Sequence, residues 1–164
     1  MPTGREMHLT KQIGEYLVCA ELCRRGYIAT TFTGNVPEFD ILAINKNYET
    51  TPIQVKAIRG GSWQFDGHKF MDISILDDGV QIIKGKKKID NPHLMCIFVN
   101  LVAQGKDEFY IFRLRDLQDI VFKNYKEWLD RHDGRRPRNP QSTHNSVSPK
   151  DLSTYKENWV LLER

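Results

Sequence analysis

The stretch that constrains this chain most is FDILAINKNYETTPIQVKA, residues 39–57. Two apolar runs, FDILAI and PIQVKA, flank NKNYETT, which is rich in turn formers; short β-branched runs bounded in this way read as strands. Side chains alternate along a strand. Ile53, Val55 and Ala57 therefore share one face of the second run, and Gln54 and Lys56 the other. In the first run Phe39, Ile41 and Ala43 oppose Asp40, Leu42 and Ile44. Paired as a hairpin, the two strands bring Asp40 beside Gln54 and Lys56. One reading is a solvated sheet face with an Asp–Lys cross-strand pair, worth under about 1 kcal/mol. The other is a built polar site holding an acid, an amide oxygen and an ammonium.

The segment before these strands bears on the choice. Residues 10–26 predict a helix with Thr10 as N-cap, Arg24 and Arg25 in the last turn and Gly26 just past it. Ile13, Tyr16, Leu17, Ala20 and Cys23 form one apolar stripe. Glu15 lies off it, with Val18, Cys19 and Leu22 as its neighbours at helical spacing. A helix apolar on both sides is expected to be largely buried, and a carboxylate buried there needs a partner or a metal. Glu21, nearer Arg24 and Arg25, is expected at the surface.

The rest of the chain completes an α/β pattern. YIATTF predicts a strand ahead of the turn GNVPE, residues 34–38. GGSWQFDGHKFMDISI, residues 60–75, predicts a short hairpin followed by a polar basic loop. HLMCIFVNL and EFYIFRL predict two strands split by AQGKD, and residues 114–131 an amphipathic helix with Leu117, Ile120, Val121, Tyr125, Trp128 and Leu129 on its apolar side. Residues 132–149 predict a loop, and PKDLSTYKENW a last short helix. A length of 164 residues suits a single domain, 1–164, with a basic loop and helix over 132–164.

Composition excludes more than it selects. With 40% hydrophobic and 27% charged residues the chain is ordinary for a globular protein. It has no run approaching the ~18 apolar residues of a membrane span and no apolar stretch near MPTGREMHLTKQ to serve as a signal peptide, so a cytoplasmic location and no membrane partner are expected. Cys19, Cys23 and Cys96 have no metal-binding spacing and are expected as reduced core residues. The net charge of +3 names no partner. The clusters Lys84, Lys86, Lys87, Lys88 and Arg131, Arg135, Arg136, Arg138 are either solvated loops or sites for an anionic partner. No Gly-rich phosphate loop or nucleophile elbow points to a small-molecule enzyme.

The order of these features resembles the PD-(D/E)xK nuclease superfamily, and within it archaeal-type Holliday junction resolvases. GEYLVCAELCRRGY is similar to the family's first helix with its early acid, GNVPEFDILA to the segment bearing the family Asp, matched by Asp40, and PIQVKA to the (D/E)xK segment, with Lys56 at the Lys position. The resemblance covers residues 11–59. It implies a restriction-endonuclease-like core, a mixed central β-sheet flanked by helices. It also implies metal-dependent hydrolysis of phosphodiester bonds in DNA. Mg²⁺ or Mn²⁺ would be held by Glu15, Asp40, the Gln54 amide oxygen and the Val55 carbonyl, with Lys56 assisting the attack of water. Gln54 departs from the pattern: the family usually has Asp or Glu there, and the site loses a negative charge unless Glu15 or Glu38 compensates.

Around this core, Gly60 and Gly61 would let the backbone turn sharply. Arg59, Gln64, His68 and Lys69 are candidates for DNA phosphates, as are Arg135, Arg136 and Arg138 in a segment that would otherwise cover the domain edge. Trp63 and Phe65 fill core or stack on a base. A homodimer would let both DNA strands be reached. The alternative is a nuclease-like fold that has lost its chemistry and binds nucleic acid or protein.

Overall fold

Thr3, not Thr10, starts the first helix. The Thr3 hydroxyl accepts a hydrogen bond from Glu6 N at 3.2 Å, and the Glu6 carboxylate accepts one from Thr3 N at 2.6 Å. This reciprocal capping box satisfies two end donors and outcompetes the later threonine. The computed structural model describes residues 3–34 and 37–163; Asn35 and Val36 of the expected turn 34–38 lie outside them. In chain order the elements are α1 (Gly4–Arg24), β1 (Ile28–Thr31), β2 (Ile41–Ile44), β3 (Thr50–Ile58), β4 (Trp63–Asp66), β5 (Met71–Ile75), β6 (Gln81–Lys86), β7 (Met95–Asn100), β8 (Glu108–Arg113), α2 (Leu114–Asp130) and β9 (His144–Val147).

The fold is mixed α/β. A five-stranded sheet runs in the order β1-β2-β3-β7-β8. Its neighbours are antiparallel except β3 and β7, which are parallel. Strict alternation splits the core between its two faces. Ile41, Ile53, Val55, Ile97 and Ile111 pack with Val18 and Leu22 of α1. Cys96, Phe98, Tyr110 and Phe112 point the other way, onto Leu117, Val121, Tyr125 and Leu129 of α2. The expected β2–β3 hairpin forms, with Ile41 opposite Ile53.

Several expectations need correction. The buried side of α1 is Thr10, Gly14, Val18 and Leu22, because this row packs on β3. Tyr16 is 57% exposed, and Ile13 and Cys23 are also exposed. The helix is therefore not apolar-packed on both sides, and Cys23 is not a core residue. Segment 60–75 does not form a hairpin on itself. β4 pairs with β9, from the segment expected as a loop, and β5 pairs with β6. Polar side chains on alternate positions hid β9, whose Asn145 and Val147 are buried. PKDLSTYKENW forms no α-helix: short 3₁₀ turns at Ser153–Tyr155 and Trp159–Glu163 replace it. Gly60 and Gly61 do turn the chain after β3, with φ of 75° and 79°. Trp63 is core, 3% exposed. Among the described residues no helix is long and apolar enough to cross a membrane.

Gly14 sets the distance between α1 and β3. A Cβ placed there would lie 2.5 Å from that of Ala57. At an open helical site Gly→Ala stabilises by up to ~1 kcal/mol. Here overpacking is expected to reverse the sign, so that Gly14→Ala lowers stability by about 1–3 kcal/mol in urea denaturation. An unchanged or raised midpoint would show that helix and strand are not in this close contact.

Candidate functional site

The site begins where β2 meets β3. Asp40 stands one residue before β2, and its N–H donates to Ile53 O at 2.9 Å. Its carboxylate continues the pairing where backbone does not: Asp40 Oδ2 accepts from Val55 N at 2.8 Å. The neighbouring Phe39 ring packs edge-on against Phe32, with centroids 5.4 Å apart, which fixes the chain direction entering Asp40. In a strand the N–H and C=O of one residue point to the same side. The Val55 carbonyl therefore also opens toward the gap that β2 leaves beyond Asp40.

Helix α1 brings the second acid. The Lys11 ammonium lies 3.5 Å from Glu15 Oε1 and 3.5 Å from Asp40 Oδ1, and so links the two carboxylates across the helix–sheet boundary. Glu15 and Asp40 are only 16% and 20% exposed. Burial pushes the Glu15 carboxyl above its ordinary value of 4.5; the Asp40 charge adds to that, and Lys11 opposes it.

On the α2 side of the sheet, Gln54 and Lys56 line an open cleft of about 630 Å³. Gln64, Phe65 and Asp66 of β4, Lys69, and Thr143 and His144 at the start of β9 complete its walls. Asp66 ties two of those walls together. Its Oδ1 accepts from Thr143 Oγ1 at 2.6 Å and from His68 N at 3.0 Å, and these bonds, the Thr143 one foremost, hold its carboxyl below the ordinary range. The Lys56 ammonium stands 5.8 Å from the centre of the Phe65 ring. Burial lowers its pKa from the ordinary 10.5, the Asp40 carboxylate pulls it back up, and Lys69 pushes it further down.

The structure thus brings Glu15 and Asp40 together through Lys11, and Gln54, Lys56, Gln64 and Lys69 together around one cleft that Asp40 does not line, the Asp40 charge reaching Lys56 only electrostatically. Glu38 is exposed, with φ of 78°. Arg59 lies in an adjoining apolar groove of about 950 Å³ that shares Gln64, and its Nε donates to Thr10 Oγ1 at 3.0 Å. His68 is not part of the cleft lining, and its carbonyl accepts from Lys87. Arg135 pairs with Asp78 at 2.8 Å. The Arg136 guanidinium packs over Trp128 and Tyr125, 4.6 and 4.8 Å from the ring centres. Arg138 is exposed beside a separate hollow with Trp128 and His132. Lys11, Asp66 and Thr143 join the site beyond the residues the sequence pattern singles out. Lys11 was legible in principle, four residues before Glu15 on the same helix face; Thr143 was not, because it arrives through the β4–β9 pairing.

The donor set suits a hard divalent cation in kind: two carboxylates, a backbone carbonyl and an amide oxygen. A cation already stands between the carboxylates in the form of the Lys11 ammonium. Among the described residues no group of three or more His, Cys, Asp or Glu side chains forms a metal cluster. No family matches the chain, and no curated protein is similar to it. Among solved structures, that of a bacterial homing endonuclease is similar over 99% of this chain and 92% of that one, at 15% identity and a TM-score of 0.49.

The lowered pKa of Lys56 has a definite sign. A folded-state pKa below the unfolded one makes the charged lysine a destabilising element at neutral pH. That penalty is relieved as pH rises through the folded value toward 10.5. Titration of the Lys56 side chain by NMR is expected to give a midpoint below 10.5, and Asp40→Asn, which removes the opposing carboxylate, to lower it further. A midpoint that rises in Asp40→Asn would contradict this arrangement.

Proposed function

We propose that this chain is a divalent-metal-dependent nuclease acting on DNA, of the restriction-endonuclease-like kind. The observation that carries the reading is the placement of Asp40. Its carboxylate is hydrogen-bonded to β3 and shares Lys11 with Glu15, and its charge favours the ammonium form of Lys56. Glu15, Asp40, the Gln54 oxygen and the Val55 carbonyl would hold Mg²⁺ or Mn²⁺. When bound, such an ion supplies Lewis acidity toward a phosphate oxygen and lowers the pKa of water.

The remaining steps belong to the chain's own groups. Lys69 and Gln64 would bind backbone phosphate along the cleft, and Phe65 and Thr143 would bound the space in which the strand lies. Lys56 Nζ would take a proton from the attacking water. Its depressed pKa makes the neutral amine more accessible than in a free lysine, which suits that role. The Val55–Asp40 hydrogen bond would keep the carboxylate oriented through the reaction.

A second reading is a nuclease-like fold that binds nucleic acid without cleaving it. It is favoured by the neutral Gln54, which leaves two side-chain carboxylates where the family pattern has three, and by the lack of a three-acid cluster among the described residues.

The deciding experiment titrates Mn²⁺ and Mg²⁺ into wild type and Asp40→Ala by calorimetry and assays cleavage of branched, single-stranded and duplex DNA. Metal-dependent cleavage is expected, abolished in Asp40→Ala and reduced about 10²–10⁴-fold in Lys56→Met. Gln54→Glu is expected to tighten metal binding by restoring a charge. DNA binding with no metal binding and no cleavage in wild type would favour the second reading.

A further inference from the structure

Resting on the metal-site reading above, we infer that Lys11 is an internal stand-in for the divalent cation: it neutralises Glu15 and Asp40 in the metal-free protein, and metal binds by displacing it. The geometry supports this in three ways. First, one ammonium is equidistant from both carboxylates, 3.5 Å from each, and the carboxylates come from separate elements, α1 and the start of β2. Without a cation between them, two largely buried negative charges would face each other. Second, both contacts are longer than the ~2.7–2.9 Å of a committed charge-assisted hydrogen bond. Lys11 is therefore shared loosely rather than locked to either partner. Third, the Lys11 side chain is 55% exposed. It can swing into solvent without opening the core, whereas Glu15 and Asp40 are held by helix and sheet.

Helix stability alone does not explain Lys11. Lys followed by Glu four residues on is the less favourable order for a helical ion pair. Glutamine or methionine would serve the solvated helix surface as well, but neither would place a charge against Asp40. A divalent ion bound by these carboxylates and Lys11 cannot occupy the same space, so the two compete. The lysine holds the site's shape in the absence of metal and weakens its affinity for metal.

The test compares Mn²⁺ binding by calorimetry, and melting temperature with EDTA or with saturating Mn²⁺, in full-length wild type, Lys11→Met, Lys11→Gln, Lys11→Arg and Asp40→Asn. Removing a competitor held by two partly screened ion pairs is expected to tighten Mn²⁺ binding about tenfold in Lys11→Met and Lys11→Gln. Lys11→Arg, which keeps the charge, should stay near wild type. In EDTA the two neutral variants should melt below wild type, and Mn²⁺ should raise their melting temperature more than it raises that of wild type. Equal or weaker Mn²⁺ binding in both neutral variants, with binding still lost in Asp40→Asn, would overturn the role of Lys11 and leave the metal site standing. No Mn²⁺ binding by any protein at millimolar concentration would remove both.

Discussion

One hydrogen bond organises the molecule's polar chemistry: Val55 N to Asp40 Oδ2. Where β2 begins, a side-chain oxygen takes the place of the next backbone partner in the ladder. That substitution ends the β2–β3 pairing at Asp40, while β3 runs on to Ile58. It also points the second carboxylate oxygen at the helix, where Lys11 meets it and links it to Glu15. An alanine at the same position would leave a strand amide without its partner and two charges without a shared centre. The fold and the site thus depend on the same atoms.

The electrostatics follow from where each charge lies relative to water. Glu15 and Asp40 are of like sign and largely buried, and the cost of that shows in the raised pKa of Glu15. Lys56, on the opposite side of Asp40, is pushed the other way by its own burial. Glu15 and Lys56 are thus both moved off their ordinary values, chiefly by burial, a pattern common where titratable groups are assembled for chemistry and also found in structural ion-pair networks. What favours the first account here is the cleft beside Lys56, lined by Lys69 and Gln54.

The legible part of this protein is the part governed by short period. The alternation in PIQVKA puts Gln54 and Lys56 on one face, and both line the cleft; Asp40 stands just before the paired residues of β2, and its carboxylate turns to Val55 N and to Lys11 of α1. MCIFVN and EFYIFR read as strands because nearly every residue in them is apolar, as strands covered on both faces require. The helix start is not where local pattern alone puts it: Thr10 resembles a cap, but Thr3 has the glutamate three residues later that completes one. The stripe through Ile13, Tyr16 and Cys23 faces outward: a helix with two apolar arcs does not say which one meets the sheet, and Gly14 against Ala57 decides it. The walls of the cleft were not readable at all, since β4 finds its partner in a polar segment far along the chain.

That distant partnership sets a timetable. Strands β1 to β3, β7 and β8, with α1, carry Glu15, Asp40 and Lys56, and all of them leave the ribosome before Thr143 does. The bonds that join Thr143 to Asp66 and Gly67 form only after closure of a loop of 77 residues, which is slow relative to local pairing. During synthesis the polar face will therefore lie open on an otherwise completed sheet, and the cleft will be among the last features to take shape.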